Sequence, residues 1–215
     1  MKGHSSHQVQ RRLLCELLRL FYEKGWVSGT GGGICTTVGK HEVLIAPTGI
    51  HKERVTPQDL FVVDSRSGKV IRPPRNRSLR LSECSPIFCT LMDRQGAGSV
   101  MHSHALSAVL AADLAGPGDP AVVFEGLEML KGLRGASNLD KHPVPVIHNT
   151  TREPDLLEQI HRVMDQTDFS RSFAILVRDH GAYIWGEDIW EAKRHAEVYH
   201  FLFEATVARR QRYSK

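Results

Sequence analysis

The sequence predicts a single domain of mixed α/β class, on the basis of its length, its composition and the order of its hydrophobic patterns. The 215 residues are enough to bury a substantial core without disulfide support. Hydrophobic residues make up 41% and charged residues 24% of the chain, which excludes a disordered, collagen-like or coiled-coil protein. Helical and strand-like patterns alternate along the chain without an internal repeat or a long linker. We therefore expect one domain over residues 1–215.

The opening element is an amphipathic helix. Leu14, Leu18 and Phe21 recur at helical spacing within residues 8–24, and Gly25 provides a stop. The further predicted elements, in chain order, are strands over 43–47 and 60–64, a solvated hairpin or loop over 65–80, a helix over 86–92, a strand over 98–102, a helix over 105–114, a strand over 144–147, a helix over 153–164, strands over 173–177 and 182–185, and a helix over 188–209.

Charge and cysteine content restrict the partners and the compartment. The net charge of +4 is too small to indicate nucleic-acid binding without a clustered basic face. The four cysteines form no CxxC pair, so a disulfide framework is not expected. No apolar run approaches the roughly 18 residues that a membrane span needs, and the first residues lack the apolar region of a signal peptide. We expect a cytoplasmic protein that binds neither nucleic acid nor a membrane.

Two histidines separated by one residue, at the end of a predicted strand, indicate a metal site. The two-residue period of a strand directs the side chains of His102 and His104 to the same side. His180 also ends a predicted strand and precedes Gly181, where a turn can present its ring. Three neutral imidazoles and one open position are typical of a catalytic zinc site. Because the chain has twelve histidines, the HxH spacing alone also permits a chance pair with a structural role.

A glycine-rich segment and the turn that follows it are candidates for phosphate binding. Gly31, Gly32 and Gly33 would let backbone N–H groups approach an anion closely. A helix rather than a strand precedes them, so the dinucleotide-binding and Walker A motifs do not apply, and a flexible connector explains the glycines equally well. The turn over 47–53 adds a hydroxyl and Lys52, and it either binds phosphate or only reverses the chain.

Taken in this order, the segments resemble the class II aldolase/adducin family, most closely its methylthioribulose-1-phosphate dehydratase branch. The resemblance spans nearly the whole chain and rests on GWVSGTGGGI, VLIAPTGIHKERV, LSECSP, GAGSVMHSHA, LEMLKG, PVPVIHNT and ILVRDHGAYIWG. It implies a class II aldolase-like α/β fold with a central, mainly antiparallel sheet flanked by helices, one Zn²⁺ per subunit, and a homotetramer with sites near subunit interfaces. In animals this branch is also described as binding the apoptotic-protease-activating factor. That apoptosis-related partner has no support in the composition.

The resemblance assigns roles to individual residues. His102, His104 and His180 match the metal ligands, and Glu128 in LEMLKG matches the acid/base carboxylate. The residues that match the phosphate-binding region are Gly31, Gly32, Gly33, Thr48, Gly49 and Ser82, with Lys52 or Lys131 supplying positive charge.

The segment before the second helix departs from the aldolase pattern. Cys84 occupies the position at which sugar-phosphate aldolases and epimerases carry a carboxylate. Two interpretations of Cys84 stay open: it takes the C3 proton of the substrate, or it shapes the site. Glu83 stands where a neutral residue is common, and its orientation is not fixed by the sequence. Gly33 replaces the asparagine of the aldolases' glycine loop, in agreement with the dehydratase branch.

The resemblance implies the removal of water from a small sugar phosphate. The expected reaction converts 5-methylthioribulose 1-phosphate to 2,3-diketo-5-methylthiopentyl 1-phosphate, a zinc-dependent step of methionine salvage. One alternative is a class II aldolase or epimerase, against which Cys84 and the LEMLKG segment argue. A second alternative is a non-catalytic adducin-like or apoptosis-related binding module, against which the three histidines argue.

Overall fold

The structure, a computed structural model, describes residues 2–213 and places one large sheet between two layers of helices. The α-helices are α1 (Lys2–Glu23), α2 (Ser85–Gln95), α3 (Leu106–Ala112), α4 (Leu157–Met164) and α5 (Ile189–Tyr213). The strands are β1 (Gly33–Thr37), β2 (Glu42–Ile45), β3 (Pro47–Thr48), β4 (Phe61–Asp64), β5 (Val70–Arg72), β6 (Arg80–Leu81), β7 (Ser99–Ser103), β8 (Ala121–Phe124), β9 (His142–Ile147), β10 (Ala174–Val177) and β11 (Gly181–Gly186). Short 3-10 helices lie at Lys52–Arg54, Glu128–Gly132, Glu153–Leu156 and Thr167–Phe169.

Within the described residues, the large sheet has nine strands in the order β5-β4-β2-β1-β7-β11-β10-β9-β8. Neighbouring strands pair antiparallel except β9 and β10, which run parallel. The short strands β3 and β6 pair separately as a two-stranded ribbon. This topology confirms the mainly antiparallel sheet flanked by helices that the resemblance implies.

Each face of the sheet buries its own hydrophobic cluster. One face packs against α1, α3 and α5 and buries Met101 of β7. The other face packs against α2 and α4 and buries Val100 of the same strand, together with Tyr183 of β11. Because successive side chains of a strand point to opposite faces, His102 lies on the α2/α4 face with Val100 and Tyr183.

The predicted helices and strands occur where the periodicity places them, but their ends differ. The first helix begins at Lys2 rather than at residue 8, and the last continues to Tyr213. The predicted helix over 153–164 begins as a 3-10 turn that contains Pro154 and becomes α-helical at Leu157. None of the helices described between residues 2 and 213 combines the length and the apolar character that a membrane span requires.

The sequence did not predict two strands of the large sheet, β1 and β8. β1 has the sequence GICTT, which lacks an apolar run, although four of its five residues are buried. β8 is the edge strand, and its Val123 is 49% exposed. Strand β5 and the first residue of β6 lie within the segment 65–80, for which the sequence predicts a solvated hairpin or loop. Tertiary pairing therefore extends the sheet beyond the segments that local pattern identifies.

A buried polar network joins β9 to α5 on the side of the sheet away from β1. His142, the first residue of β9, is 4% exposed, and its Nε2 lies 2.8 Å from the hydroxyl of Tyr199 in α5. The same hydroxyl accepts a hydrogen bond from the backbone N–H of Phe173 at 2.9 Å. Burial, with the nearby positive charge of Arg171, lowers the pKa of His142 to about 4. His142 is therefore neutral in the folded protein at neutral pH, and its Nε2 accepts a hydrogen bond from the Tyr199 hydroxyl.

We predict that His142 makes the fold sensitive to mild acid. A histidine of the unfolded chain has a pKa of about 6.5, so between about pH 6.5 and pH 4 the unfolded state binds more protons, and the free energy of unfolding falls as pH falls. Because of this side chain, the free energy of unfolding should be about 2 kcal/mol lower at pH 5 than at pH 7.5. Urea denaturation at both pH values should show a smaller pH dependence for His142→Gln than for the native protein. An equal dependence in both proteins would contradict the prediction.

Candidate metal centre and active site

Three histidines and one glutamate converge at the end of the central strands. The Nε2 atom of His104 lies 2.8 Å from that of His102 and 3.1 Å from that of His180. The Oε1 atom of Glu153 lies 3.2 Å from His102 Nε2 and 3.1 Å from His180 Nε2. All four potential ligand atoms lie within 4.8 Å of one another. Imidazole nitrogens and a carboxylate at this spacing fit a divalent transition-metal ion such as zinc.

His102 and His104 are held by the strand that carries them and by its neighbours. His102 pairs across the sheet with Tyr183, and the two rings stack with centroids 4.0 Å apart. His102 Nδ1 donates to the carbonyl of Ala182 at 3.1 Å, which leaves Nε2 facing the cluster. His104 follows β7 directly, and its backbone N–H donates to the carbonyl of Trp26 at 2.8 Å. The strand therefore delivers both rings to the same site, as their spacing predicts.

His180 reaches the cluster from the tight turn between β10 and β11. Asp179 in this turn has a φ of 53°, an uncommon value for a residue other than glycine. A Cβ atom at Gly181 would lie 1.9 Å from the carbonyl oxygen of Ser103. Only glycine therefore allows β11 to begin so close to β7, and this approach brings His180 to His104.

Glu153 is the member of the cluster that sequence reasoning missed. It is the first residue of a 3-10 turn, and the hydroxyl of Tyr183 donates to its Oε2. Burial acts to raise the pKa of Glu153, but the side-chain contacts with His102, His180 and Tyr183 outweigh it and hold the pKa well below its usual range. The carboxylate is therefore charged at the centre of the cluster. No spacing in the sequence connects Glu153 to a histidine, so the pattern carried no signal for it.

Electrostatics keep His104 in the form that binds metals. Burial, followed by the neighbouring His102 and His180, lowers the pKa of His104 to about 3. Its imidazole is neutral at physiological pH and presents a lone pair from Nε2. His104 therefore has the protonation state that a divalent ion requires of a histidine ligand.

The glycine-rich segment packs directly against two of these histidines. A Cβ atom at Gly31 would lie 2.5 Å from His104 Nδ1. Gly32 has a φ of +67°, and a Cβ atom there would lie 2.7 Å from the carbonyl oxygen of His102. Gly33 begins β1 opposite His102. Gly31 and Gly32 are thus required for the close approach of this segment to the histidine cluster, which a flexible connector would not need.

Lys52 links the glycine-rich segment to the turn that follows β3. Its side chain is 1% exposed, and Nζ donates to the carbonyl oxygens of Thr30 at 2.6 Å and Ile50 at 3.2 Å. Burial lowers the pKa of Lys52 to about 8, and the nearby Cys84 and Glu53 act in the opposite direction. The amine is therefore mostly charged at neutral pH and lies between two of the segments expected to bind phosphate.

The other predicted phosphate contacts lie on or beside the β3–β6 ribbon. Thr48 pairs with Arg80 across the ribbon, and a guanidinium nitrogen of Arg80 lies 4.0 Å from the position that a Cβ atom would take at Gly49. Ser82 follows the ribbon, and its Oγ accepts a hydrogen bond from the backbone N–H of Cys84 at 3.3 Å. Arg80 was expected only as part of a solvated segment, and the structure brings its charge to this turn.

Cys84 lies beside the cluster as a buried thiol. It is 6% exposed and lies beside Ser82 and beside Tyr183, whose hydroxyl donates to Glu153. Burial first, and the charge of Glu153 second, raise the pKa of Cys84 to about 12. The thiol is therefore protonated at neutral pH and is poorly suited to take a proton. Glu83, between Ser82 and Cys84, is exposed to solvent.

Glu128 and Lys131 are not brought to the histidine cluster of the same chain. They form an exposed ion pair at 2.7 Å, and Glu128 also accepts a hydrogen bond from Asn138 at 2.9 Å. Their 3-10 helix buries Leu130 in the cluster that α5 covers, on the sheet face opposite His102. The catalytic role of Glu128 and the phosphate role of Lys131 therefore stay predictions.

Comparison with known proteins gives one consistent relationship. The family model described as Class II Aldolase and Adducin N-terminal domain matches residues 12–207. The chain is 41% identical over 207 residues to a methylthioribulose-1-phosphate dehydratase of Gallus gallus, covering 94% of this chain and 84% of that protein. It is 43% identical over 216 residues to the Danio rerio protein of the same name, covering 98% and 88%. The L-fuculose-1-phosphate aldolase structure from Thermus thermophilus shares the fold, with a TM-score of 0.68, 22% identity and 92% coverage of each chain.

We predict that the purified protein binds one divalent ion per chain through this cluster. Replacing His104 with Ala removes one imidazole and should weaken metal binding by more than about 100-fold, because even outer contacts to a ligand change affinity by about 10–100-fold. Elemental analysis after dialysis at a fixed free-metal concentration measures the effect. His148→Ala, which alters an exposed histidine outside the cluster, is the matched control. Native stoichiometry in His104→Ala would show that the ion binds elsewhere.

Proposed function

The chain belongs to the class II aldolase and adducin family, and we propose that within this family it is a methylthioribulose-1-phosphate dehydratase. The observation that carries the proposal is the three-histidine cluster with Cys84, rather than a second carboxylate, connected to it through Tyr183. The similarity to dehydratases along nearly the whole chain supports the same reaction. The substrate is 5-methylthioribulose 1-phosphate, and loss of water gives 2,3-diketo-5-methylthiopentyl 1-phosphate.

We propose Zn²⁺ as the ion, held by His102, His104 and His180, with Glu153 as an additional ligand. When bound, such an ion polarises the C2 carbonyl and makes the neighbouring C3 proton more acidic. The protein contributes the orientation of the rings, since the Ala182 carbonyl and the Gly31 backbone restrict His102 and His104. The cysteines of the described chain are free, which supports a reducing, cytoplasmic compartment.

The phosphate must be held apart from the metal ligands. A phosphate that occupied the cluster would displace the C2 carbonyl and lose the orientation that the reaction needs. Lys52 Nζ carries three protons and donates two of them to Thr30 and Ile50, so one proton is left for a phosphate oxygen. We therefore assign the phosphate to Lys52, the Gly31–Gly33 backbone, and the hydroxyls of Thr48 and Ser82.

We assign the proton transfers to Glu128 of a neighbouring subunit. Within one chain Glu128 and His102 lie on opposite faces of the sheet, so a site that uses both combines two copies. This placement agrees with the homotetramer and the interface sites that the resemblance implies. Glu128 takes the proton from C3 and returns it to the C4 hydroxyl, which leaves as water, and the resulting enol tautomerises to the diketone. Lys131, ion-paired to Glu128, reaches the same neighbouring site.

Cys84 then shapes the site and does not act as the base. Its thiol is buried and protonated, and it contacts Tyr183 and Ser82. A neutral thiol at this position also places no negative charge near the substrate phosphate, in contrast to a carboxylate.

The reaction is tested by incubating the metal-loaded protein with 5-methylthioribulose 1-phosphate and measuring the product mass. A dehydratase gives a product lighter by one water molecule. An aldolase gives two fragments, whereas an epimerase and a non-catalytic binding module both leave the mass unchanged. Chromatographic separation of the isomers distinguishes these two, because only an epimerase forms a second species of the same mass.

We predict that Glu128→Gln keeps the metal and the fold but loses turnover by about 10²–10⁴-fold, because the amide preserves the shape of the side chain and cannot exchange protons. Steady-state rates together with metal content measure this effect. Glu158→Gln changes another exposed, ion-paired glutamate and should keep the native rate. Near-native turnover in Glu128→Gln would remove Glu128 from the mechanism.

The position of Glu128 across an interface is tested by mixing subunits. Co-expressed Glu128→Gln and His104→Ala chains should recover activity that neither variant has alone, because some hybrid sites then combine an intact histidine cluster with an intact Glu128. No recovery in isolated mixed oligomers would place Glu128 and the cluster within one chain.

We predict that Thr48→Val impairs use of the phosphorylated substrate selectively. The valine keeps the shape of the side chain but removes the hydroxyl, so KM for the phosphorylated substrate should rise by about 10-fold, the loss expected for one hydrogen bond to a charged group. The weak turnover of the dephosphorylated ketose should change little. Equal losses on both substrates would show that Thr48 supports the fold and that the phosphate lies elsewhere.

A further inference from the structure

The backbone of His180 restrains its ring less than the backbone of His102 does. His102 lies within a buried strand, and its ring stacks on Tyr183. His180 lies outside the strands, in the turn between β10 and β11, and its side chain is 14% exposed. Since a neutral imidazole carries its proton on either nitrogen, something outside this turn must select the state with a free Nε2.

The side chain of Asn149 is positioned to make this selection. Its Oδ1 lies 3.0 Å from His180 Nδ1, on the side of the ring away from the cluster. The backbone N–H of Thr150 donates to the same Oδ1 at 2.9 Å, which identifies the atom facing His180 as the oxygen of the amide. An oxygen there accepts a proton from Nδ1 and leaves the lone pair on Nε2 directed at the cluster.

The segment that carries Asn149 is itself anchored. The side-chain amide of Gln159, in α4, accepts a hydrogen bond from the backbone N–H of His148 and donates to its carbonyl, both at 2.9 Å. Thr150 Oγ1 donates to the carbonyl of Arg152 at 2.9 Å. The same segment ends at Glu153, so one short stretch contacts His180 from its outer side and supplies the carboxylate on its inner side.

We propose that Asn149 is a positioning residue of the metal centre, which fixes His180 as the Nδ1–H tautomer and directs its Nε2 to the ion. The inference rests on the metal centre of the proposed function. Outer partners of ligating histidines typically change metal affinity by about 10–100-fold. Asn149 is exposed, so its replacement removes this contact with little cost to the core.

The test compares Asn149→Ala with Asn149→Asp in metal titrations against a chromogenic chelator, using Zn²⁺ and the full chain. Asn149→Ala should weaken binding by about 10–100-fold, and Asn149→Asp, which keeps an acceptor oxygen at Nδ1, should bind at least as tightly as the native protein. Asn76→Ala is the matched control, because Asn76 is also exposed and its Oδ1 also accepts a backbone N–H, from Ser78. The metal-free forms of all the variants should unfold at the native temperature.

Native affinity in Asn149→Ala, or equal losses in the Ala and Asp variants, would overturn the inference. A loss of affinity matched by a loss of thermal stability in the metal-free protein would also overturn it, in favour of a structural role. His180→Ala separates this failure from failure of the metal centre. If His180→Ala binds Zn²⁺ normally, the centre is wrong; if it binds weakly while Asn149→Ala binds normally, only the role of Asn149 is wrong.

Discussion

The antiparallel pairing of β7 with β1 on one side and β11 on the other is the constraint on which the rest of the site depends. In this register His102 lies opposite Gly33 of β1 and Tyr183 of β11. The first pairing brings the glycine-rich segment against the histidine rings, and the second brings the His180 turn beside them. A slip of one residue in β7 would turn His102 to the opposite face and dismantle the cluster.

Strand β7, which carries His102, is also held from the opposite face of the sheet, where α5 packs. Ser103, between His102 and His104, donates from Oγ to the Nε2 of His200 at 2.7 Å, and His200 donates from Nδ1 to the carbonyl of Ala196. The His200 ring stacks on Trp26 with centroids 3.9 Å apart. Because these buried polar groups hydrogen-bond one another, they hold the end of β7 in place without leaving their own donors and acceptors unpaired.

The histidine cluster and Glu128 lie on different faces of the sheet. The metal ligands, Cys84 and the buried Lys52 belong to one region of a single chain, whereas Glu128 is exposed on the other face. The exposed ion pair of Glu128 with Lys131 contributes little to the stability of one chain. The role proposed for Glu128 would therefore depend on assembly as well as on folding.

The sequence by itself determined the alternation of helices and strands, the family, and the fact that His102 and His104 point the same way. These follow from local periodicity and from motifs read in order. Only the tertiary structure decided that Glu153, 51 residues from His102, joins the cluster, that Lys52 is buried, and that Glu128 lies on the far face. These placements arise from the order of strands in the sheet and from loop packing, which bring together residues that share no period along the chain.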